Sequence, residues 1–451
     1  MKHQVKKRSG TDGEKRRKST KMQIRILYVC PYAHYPGHFA AAAVQETQAL
    51  AEAGVEAILL TFCGVIGNTE IKVPHLVVFP QTSLTKPIHY FVRLLRKWTI
   101  SRWLVMFFET LLTLSRAIAV KRKRGVDIIH LRDGEPFLFL SHLLSLPFRG
   151  FHWVVSLTAS NIYTPRPKTF KQFVYTMAVK LVNSGIWRPL YRISLARNDF
   201  VFITQNETAQ KGYNFYLSGI FAGKVIYLPL GSDKPVTNIH KEKARKKLGL
   251  PLDKPVFLSF GAPHSGKDLE TIFRAVSELP DVCLAHAGSQ AFSLGANTTN
   301  LAEKYGEPNR VIINDHYISE EEKPYYFFAA DATILSYTRQ FLSTSSLLWE
   351  ACRFGTPVIA SDNGQLGELV ETYNVGLLFK AQDSDSLREA IKHFINLKPE
   401  RVELYKRSCR KFANEFSIGK WAQRCVEIYN SFLTIATQRN PLRQEIRSDG
   451  S

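Results

Sequence analysis

Runs of consecutive apolar residues alternate with helical segments along most of this chain. In the first half, runs rich in β-branched residues predict strands at residues 23–29, 55–62, 75–79, 126–131, 152–158, 199–204 and 224–230. The Ala- and Leu-rich segment 39–54, which ends in a glycine, predicts a helix. Strands that are apolar on both faces are typical of a parallel sheet covered by helices. The order strand, loop, helix, strand therefore predicts a doubly wound α/β unit.

A second cycle of strands and helices begins after a charged helical segment at residues 240–250. Its apolar runs predict strands at residues 255–261, 282–288, 310–315, 331–336 and 356–361. Its amphipathic segments predict helices at residues 268–279, 320–330, 345–355, 366–373 and 385–396. A chain of 451 residues is long enough for two such units. We expect two Rossmann-like α/β domains that face each other across a cleft at the carboxyl ends of both sheets.

Positive charge is concentrated in two segments. The chain carries 60 Lys and Arg against 39 Asp and Glu, a formal net charge of +21. Residues 1–22 hold nine Lys and Arg and almost no apolar residue, which predicts a disordered tail and excludes a secretory signal. Residues 86–124 hold ten Lys and Arg among large apolar side chains, with Glu109 as the single acid.

The second basic segment admits three interpretations. Arg102, Glu109 and Arg116 interrupt every apolar window that is long enough to cross a membrane, so a spanning helix is excluded. Residues 88–125 and 169–197 then form either domain helices that pack on a sheet or amphipathic helices that attach to an anionic membrane. Nucleic acid binding is the least favoured, because no recognition motif accompanies the charge. We expect a cytoplasmic protein. If the amphipathic helices attach to an anionic membrane, the protein would lie peripherally at its inner face.

Six scattered cysteines add little chemistry. They form no C-x-x-C pair and no zinc-ligand spacing, which indicates buried thiols in a reducing compartment.

The second half of the sequence resembles the GT-B glycosyltransferases, in particular the large retaining group called family 4. The resemblance runs from residues 266–273 through 328–336 to 347–371, and the phrase EACRFGTPVIASDNG at 350–364 is closest to the family pattern. It implies a GT-B fold, in which two doubly wound Rossmann-like domains face each other. The matching positions are dense in the second half of the chain and thin in the first.

Two further segments resemble the connections between the domains of that family. Residues 224–233 match the interdomain segment, with Leu230 and Ser232 as departures, and the segment that begins at Phe416 resembles the helix that crosses back to the first domain. The composition predicts the basic tail at 1–22, and the resemblance implies an acceptor-side domain at 23–231, a nucleotide-sugar domain at 232–415, and a crossover helix with its tail at 416–451.

The resemblance implies a hexosyltransferase that moves a sugar from a nucleotide-diphosphate donor to an acceptor with retention of configuration. It implies no resident cofactor, because the nucleotide sugar is a substrate, and the lack of an Asp-x-Asp spacing in a suitable loop favours metal independence. The basic and aromatic surface of the first domain adds a lipid-linked or membrane-proximal acceptor to this expectation. A nucleotide-sugar epimerase of the same fold and a non-catalytic binding protein stay open as alternatives.

Lys267 is the main candidate for stabilising the departing diphosphate. It follows a predicted strand and a turn that contains Gly261, so we expect its ammonium to reach the cleft. The phosphate-binding lysine of the resembled family has this spacing. That family pairs the lysine with an arginine at the position of Ala262, and His264 is a candidate replacement here.

A hydroxyl-rich helix start supplies further donor-binding candidates, which are Ser343, Thr344, Ser345 and Ser346. Hydroxyls and free N–H groups at a helix start favour phosphate or sugar oxygens, although simple capping is the alternative. Glu350 corresponds to the second Glu of the family's E-x7-E motif, which implies hydrogen bonds from the nucleotide ribose. Leu342 replaces the first Glu, which predicts altered donor recognition or, as the less favoured outcome, lost activity, and Glu368 is an alternative carboxylate.

The first domain contributes two loops. Gly37 permits close approach of the backbone to a diphosphate, with an ordinary turn as the alternative, and His38 is a candidate to face the sugar or the acceptor. His130, Arg132 and Asp133 follow a predicted strand and are candidates on the acceptor side, unless Arg132 and Asp133 form only a surface pair. The predicted catalytic residues are Lys267, Glu350 and His38.

Overall fold

The computed structural model describes residues 23–33, 38–62, 76–78, 102–132, 148–157, 193, 199–207, 210–211, 225–233, 238–264, 266–290, 297–305, 310–341 and 344–439. The basic tail at 1–22 and most of the aromatic segment 169–197 lie outside these residues, as do Gly37, Asp133 and Ser343.

Seven parallel strands form the first sheet: β1 (Arg25–Val29), β2 (Glu56–Thr61), β3 (Leu76–Val78), β4 (Ile128–Leu131), β5 (His152–Leu157), β6 (Asp199–Thr204) and β7 (Val225–Tyr227). Their order across the sheet is β3-β2-β1-β4-β5-β6-β7, so the direction of strand order reverses between β1 and β4. Two helices of this unit are α1 (His38–Glu52) and α2 (Arg102–Arg124).

The alternating side chains of β1 explain why both faces of this sheet are covered. Leu27 and Val29 pack in one core with the apolar face of α2, whereas Ile26 and Tyr28 pack in a second core with α1. Both faces are therefore apolar, as the sequence predicted for a doubly wound unit.

Helix α2 is the described part of the second basic segment. Its side chains are described from residue 108 onward, and Leu114, Ala117 and Ile118 are buried against the sheet. Its basic residues 121–124 form the last turn. From Leu114 onward the apolar face of this helix is thus a core face, which supports the domain-helix interpretation for that part of the segment, whereas membrane attachment stays a prediction. Within the described ranges, no helix is both long enough and apolar enough to cross a membrane.

Six parallel strands form the second sheet: β8 (Val256–Phe260), β9 (Cys283–Ala287), β10 (Val311–Asn314), β11 (Ala332–Leu335), β12 (Val358–Ser361) and β13 (Gly376–Phe379). Their order is β10-β9-β8-β11-β12-β13, which reverses between β8 and β11. The helices of this unit are α3 (Lys241–Leu248), α4 (Leu269–Ser277), α5 (Thr298–Tyr305), α6 (Lys323–Ala329), α7 (Ser346–Arg353), α8 (Gly364–Tyr373), α9 (Ser384–Ile395) and α10 (Pro399–Glu415). The predicted fold class, two doubly wound α/β domains, is confirmed.

Two crossings of the chain between the units run side by side. The N–H of Ser232 donates to the carbonyl of Phe416 at 2.7 Å, and the N–H of Ile418 donates to the carbonyl of Ser232 at 2.6 Å. A Cβ at Gly231 would lie 2.7 Å from Ile418 Cδ1, so only glycine fits this crossing. Helix α11 (Ile418–Arg439) continues from it and buries its apolar stripe in the core of the first unit, with Trp421, Ala422, Cys425, Tyr429 and Phe432.

Candidate active site

The carboxyl ends of the two sheets face each other. The hydroxyl oxygen of Thr344, just before α7, lies 3.2 Å from the carbonyl oxygen of Gln205, which follows β6. In α8, Gln365 donates its amide to the hydroxyl of Tyr227 at the end of β7, at 3.2 Å. Both reversals of strand order lie at these facing edges, and such reversals are where open α/β sheets bind ligands.

Lys267 lies at the reversal of the second sheet, between the ends of β8 and β11. Its backbone pairs with that of Tyr337 in an antiparallel bridge, and the N–H of Asp268 donates to the carbonyl of Ser336 at 3.1 Å. Asp268 also accepts from the backbone N–H of Thr271 and so caps α4. The loop that carries Lys267 is therefore fixed at both of its sides.

The ammonium of Lys267 is turned toward the end of β8. It donates to the carbonyl oxygens of Phe260 and of Gly261, the latter at 3.0 Å, and it lines a small pocket with Ser259 and Ser336. Burial lowers the pKa of this ammonium to about 7. The sequence predicted a lysine that reaches the cleft; in this structure two backbone carbonyls at the end of β8 hold its ammonium, and its contact with a diphosphate stays a prediction.

Two glycines bring the ends of β8 and β9 close together. Gly261 has a φ of +86°, and a Cβ at Gly288 would lie 2.5 Å from the carbonyl carbon of Gly261. Ala262 and His264 are exposed beside this turn. The predicted donor-binding glycine, Gly261, thus has a conformation that favours glycine.

His286 on β9 is a buried neighbour of Lys267 that the sequence analysis missed. Its Nδ1 lies 3.0 Å from Ser259 Oγ, and its Nε2 is buried with no hydrogen-bond partner among the described residues. Burial, with the charge of Lys267, lowers the pKa of His286 to about 3, so the imidazole is neutral. It lies in the apolar run 282–288, so the sequence pattern indicated a core residue rather than a site residue.

The predicted hydroxyl cradle is only partly available at the start of α7. Ser345 is buried, and its hydroxyl lies 2.7 Å from that of Tyr337. Thr344 lies between two acceptors, since its hydroxyl is also 2.5 Å from Gln365 Oε1. Ser346 is exposed, whereas Ser343 lies outside the described residues. Protein contacts therefore occupy two of the four predicted hydroxyls.

Glu350 belongs to a cluster of charged side chains rather than to an apolar surface. Its carboxylate lies 3.6 Å from Lys323 Nζ and 3.4 Å from Arg353 Nη1. Burial acts to lower the pKa of Lys323, but Glu350 and Glu320 raise it above its ordinary value. The spacing of Glu350 and Arg353, three residues apart on one helix, is the sequence signal that would have revealed this pair. Glu368, the alternative carboxylate, is exposed.

His130 and Arg132 lie inside the first unit, so their prediction as cleft residues is wrong. His130 is fully buried, with Nδ1 2.6 Å from the Tyr429 hydroxyl and Nε2 2.7 Å from Ser156 Oγ. Burial, together with the charge of Arg132, lowers the pKa of His130 to about 3. Arg132 is buried against Glu46 on α1 and does not lie on the surface.

Three other predicted features remain without structural detail. His38 begins α1, but its side chain lies outside the described residues, as do Gly37 and Asp133. Among the side chains that the structure describes, no three His, Cys, Asp or Glu residues converge as metal ligands do. Metal independence stays a prediction.

Comparison with known proteins agrees with this architecture. Residues 240–411 match the family model described as glycosyl transferases group 1. D-inositol 3-phosphate glycosyltransferase of Corynebacterium aurimucosum is 27% identical over 209 residues, which are 45% of this chain and 49% of that protein. The chain thus spans about half the length of this curated relative.

Solved structures match over nearly the whole chain. Sucrose-phosphate synthase of Thermosynechococcus elongatus has a TM-score of 0.67 at 20% identity, covering 92% of this chain and 100% of that one. The Anabaena protein HepE, in complex with UDP-glucose, has a TM-score of 0.66 at 16% identity, covering 91% of this chain and 100% of that one. This chain therefore has the GT-B fold and resembles the group 1 glycosyltransferases, whose family model covers its second unit.

Proposed function

We propose that this protein is a retaining glycosyltransferase that moves a hexose from a nucleotide-diphosphate sugar to an acceptor hydroxyl. The observation that carries the proposal is the position of Lys267 at the strand-order reversal of the second sheet, in the edge that faces the first unit. Fixed cationic groups at such an edge stabilise the charge that develops on a departing diphosphate.

Donor binding would change the partners of Lys267. A diphosphate offers more negative charge than the carbonyl oxygens of Phe260 and Gly261, so it favours the protonated ammonium and competes for its hydrogen bonds. The start of α7, where Ser346 is exposed, adds the positive end of a helix dipole. Glu350, one turn later, is the carboxylate for the ribose hydroxyls, with Lys323 and Arg353 as its present partners.

The proposed reaction needs no separate general base. The bond between the sugar carbon and the diphosphate oxygen breaks while the acceptor oxygen bonds to the same face of that carbon. The departing diphosphate oxygen takes the proton of the acceptor hydroxyl, which balances the step. The role of the described residues is to hold the diphosphate and to lower the energy of its developing charge.

A membrane-proximal or lipid-linked acceptor is part of the proposal. The net charge of +21 and the exposed Arg122, Lys123 and Arg124 at the end of α2 support an anionic partner. Co-sedimentation with anionic and with zwitterionic vesicles tests this part. We expect binding to anionic vesicles that weakens with added salt. Equal pelleting with both vesicle types would contradict the membrane-proximal acceptor.

Turnover of UDP-glucose is the first test, because HepE was solved with that nucleotide sugar. A thermal-shift series with UDP-, GDP- and ADP-sugars identifies the donor, since a ligand of the folded state raises the unfolding temperature. NMR of the product then reports the anomeric configuration and separates transfer from epimerisation, which needs no acceptor.

Lys267→Ala distinguishes an enzyme from a binding protein. Loss of one charge-stabilising donor should reduce turnover about 100-fold or more, whereas the exposed Lys392→Ala on α9 should leave it unchanged. Equal turnover in both variants would contradict the assigned role of Lys267. A parent protein that binds donors but transfers none would favour the non-catalytic alternative.

A further inference from the structure

An interdomain ion cluster connects the two units beside Glu350. We use this name for Asp233, Glu320, Lys323, Glu350 and Arg353. Arg353 Nη2 lies 3.4 Å from Asp233 Oδ2, and its Nη1 lies 3.4 Å from Glu350 Oε2 and 3.7 Å from Glu320 Oε2. Lys323 Nζ lies 2.6 Å from Glu320 Oε1 and 3.6 Å from Glu350 Oε1. Two cations thus face three carboxylates.

The arginine of this cluster spans two parts of the molecule. Its backbone belongs to α7, whereas Asp233 belongs to the chain segment that crosses between the units. A guanidinium has nitrogens on two sides of a rigid plane, so it can face Asp233 and Glu350 at the same time, which an ammonium does less well. The Arg353 side chain is only 13% exposed, so its charge interactions are weakly screened by solvent.

Asp233 extends the connection to the first unit. Gln45 on α1 donates its side-chain amide to Asp233 Oδ2 at 2.8 Å. The next residue, Glu46, is anchored inside the first unit by Arg132. Polar contacts therefore run from Gln45 on α1 through Asp233 and Arg353 to the Glu350 carboxylate, and the neighbouring Glu46 ties α1 to the core of the first unit.

We propose that Asp233 and Arg353 are positioning residues that couple the placement of the first unit to the position of the Glu350 carboxylate. This inference rests on the proposed function, in which Glu350 accepts hydrogen bonds from the donor ribose. Without the charge of Asp233, the anionic partners that Arg353 retains among the described residues are Glu350 and Glu320. It then draws the Glu350 carboxylate toward itself and competes with the ribose hydroxyls.

Asp233→Asn and Arg353→Lys test the coupling with little change in volume. Each should raise the KM for the nucleotide sugar about tenfold with a smaller change in kcat, because the affected contact is with the ribose and not with the reacting bond. The KM of the double variant should be no higher than that of either single variant, as expected for two residues that act as one unit. Glu403→Gln, in an exposed pair with Arg410 on α10, is the matched control and should leave KM unchanged.

Additive effects on KM, or wild-type KM in both single variants, would overturn the proposal. A lower unfolding temperature with an unchanged KM would also overturn it, because it would indicate a purely structural role. A wild-type protein that neither binds nor transfers any nucleotide sugar would instead contradict the proposed function. In that case amide hydrogen exchange decides: faster exchange in both α1 and α7 of Arg353→Lys, but not of Glu403→Gln, supports the coupling, and unchanged exchange refutes it.

Discussion

Arg132 and Glu46 form an ion pair inside the first unit, with Arg132 Nε 2.8 Å from Glu46 Oε2. Their side chains are only 3% and 7% exposed. Tyr28 donates its hydroxyl to the same carboxylate oxygen. Because Arg132 follows β4 and Glu46 lies on α1, the pair fixes the helix that begins after the first strand to the sheet beneath it.

Replacing Glu46 by Gln should destabilise the protein strongly. The change removes the anion that compensates a buried guanidinium, and loss of one partner of a buried pair costs roughly 3 kcal/mol or more. Glu56→Gln is the matched control, because Glu56 pairs with Arg25 at 2.7 Å where both side chains are about one-third exposed. That control should cost about 1 kcal/mol or less. Chemical denaturation measures the free energy of unfolding of both variants. Equal losses of stability would contradict the role of the buried pair.

UDP binding should weaken as the pH rises above about 7. The free protein loses the proton of Lys267 near this pH, while a bound diphosphate favours the charged ammonium. Binding above pH 7 then requires proton uptake, so the dissociation constant should rise by up to about tenfold per pH unit. Isothermal titration across this range measures the effect. Lys267→Arg is the control, because a guanidinium stays charged and its profile should be flat; a flat profile for the parent protein would count against the assignment.

Gly231→Ala should destabilise the crossing between the two units. The new Cβ would lie 2.7 Å from Ile418 Cδ1 and 2.9 Å from its Cα, and the second of these atoms belongs to the backbone. Such overpacking costs about 1–3 kcal/mol. Gly419→Ala is the neighbouring control: a Cβ there meets open space in the first turn of α11, so the free energy of unfolding should change by about 0.5 kcal/mol or less. A thermal unfolding series that ranks the two variants in the opposite order would refute this account.

The strands of this fold could be predicted because burial on both faces leaves a continuous apolar run in the sequence. β13 was missed because it is a short edge strand, and its first residue, Gly376, contributes no apolar side chain. Helix α10 was missed although Tyr405, Cys409 and Phe412 mark its buried face. Many residues of this helix are charged and face solvent, so its narrow buried stripe does not stand out in the sequence.

The candidate site was less predictable because it depends on contacts between distant residues. His130 follows the rule that strand ends face a cleft, yet it is covered by Tyr429, which lies 299 residues later in the chain. The position of Lys267 in its loop followed from strand and helix boundaries, whereas the direction of its ammonium depends on the carbonyls of Phe260 and Gly261. Local patterns do not contain such information.

Tyr429→Phe tests whether the crossover helix is held by a polar contact as well as by apolar packing. The substitution removes the hydroxyl 2.6 Å from His130 Nδ1, and burial leaves that nitrogen without access to water. An unsatisfied buried group costs about 1–3 kcal/mol. Tyr373→Phe removes a hydroxyl that donates to the exposed Glu415 at 2.9 Å, so it should cost about 0.5 kcal/mol or less. Denaturant unfolding compares the two, and equal stability of both variants would show that His130 finds another partner or that α11 is held by packing alone.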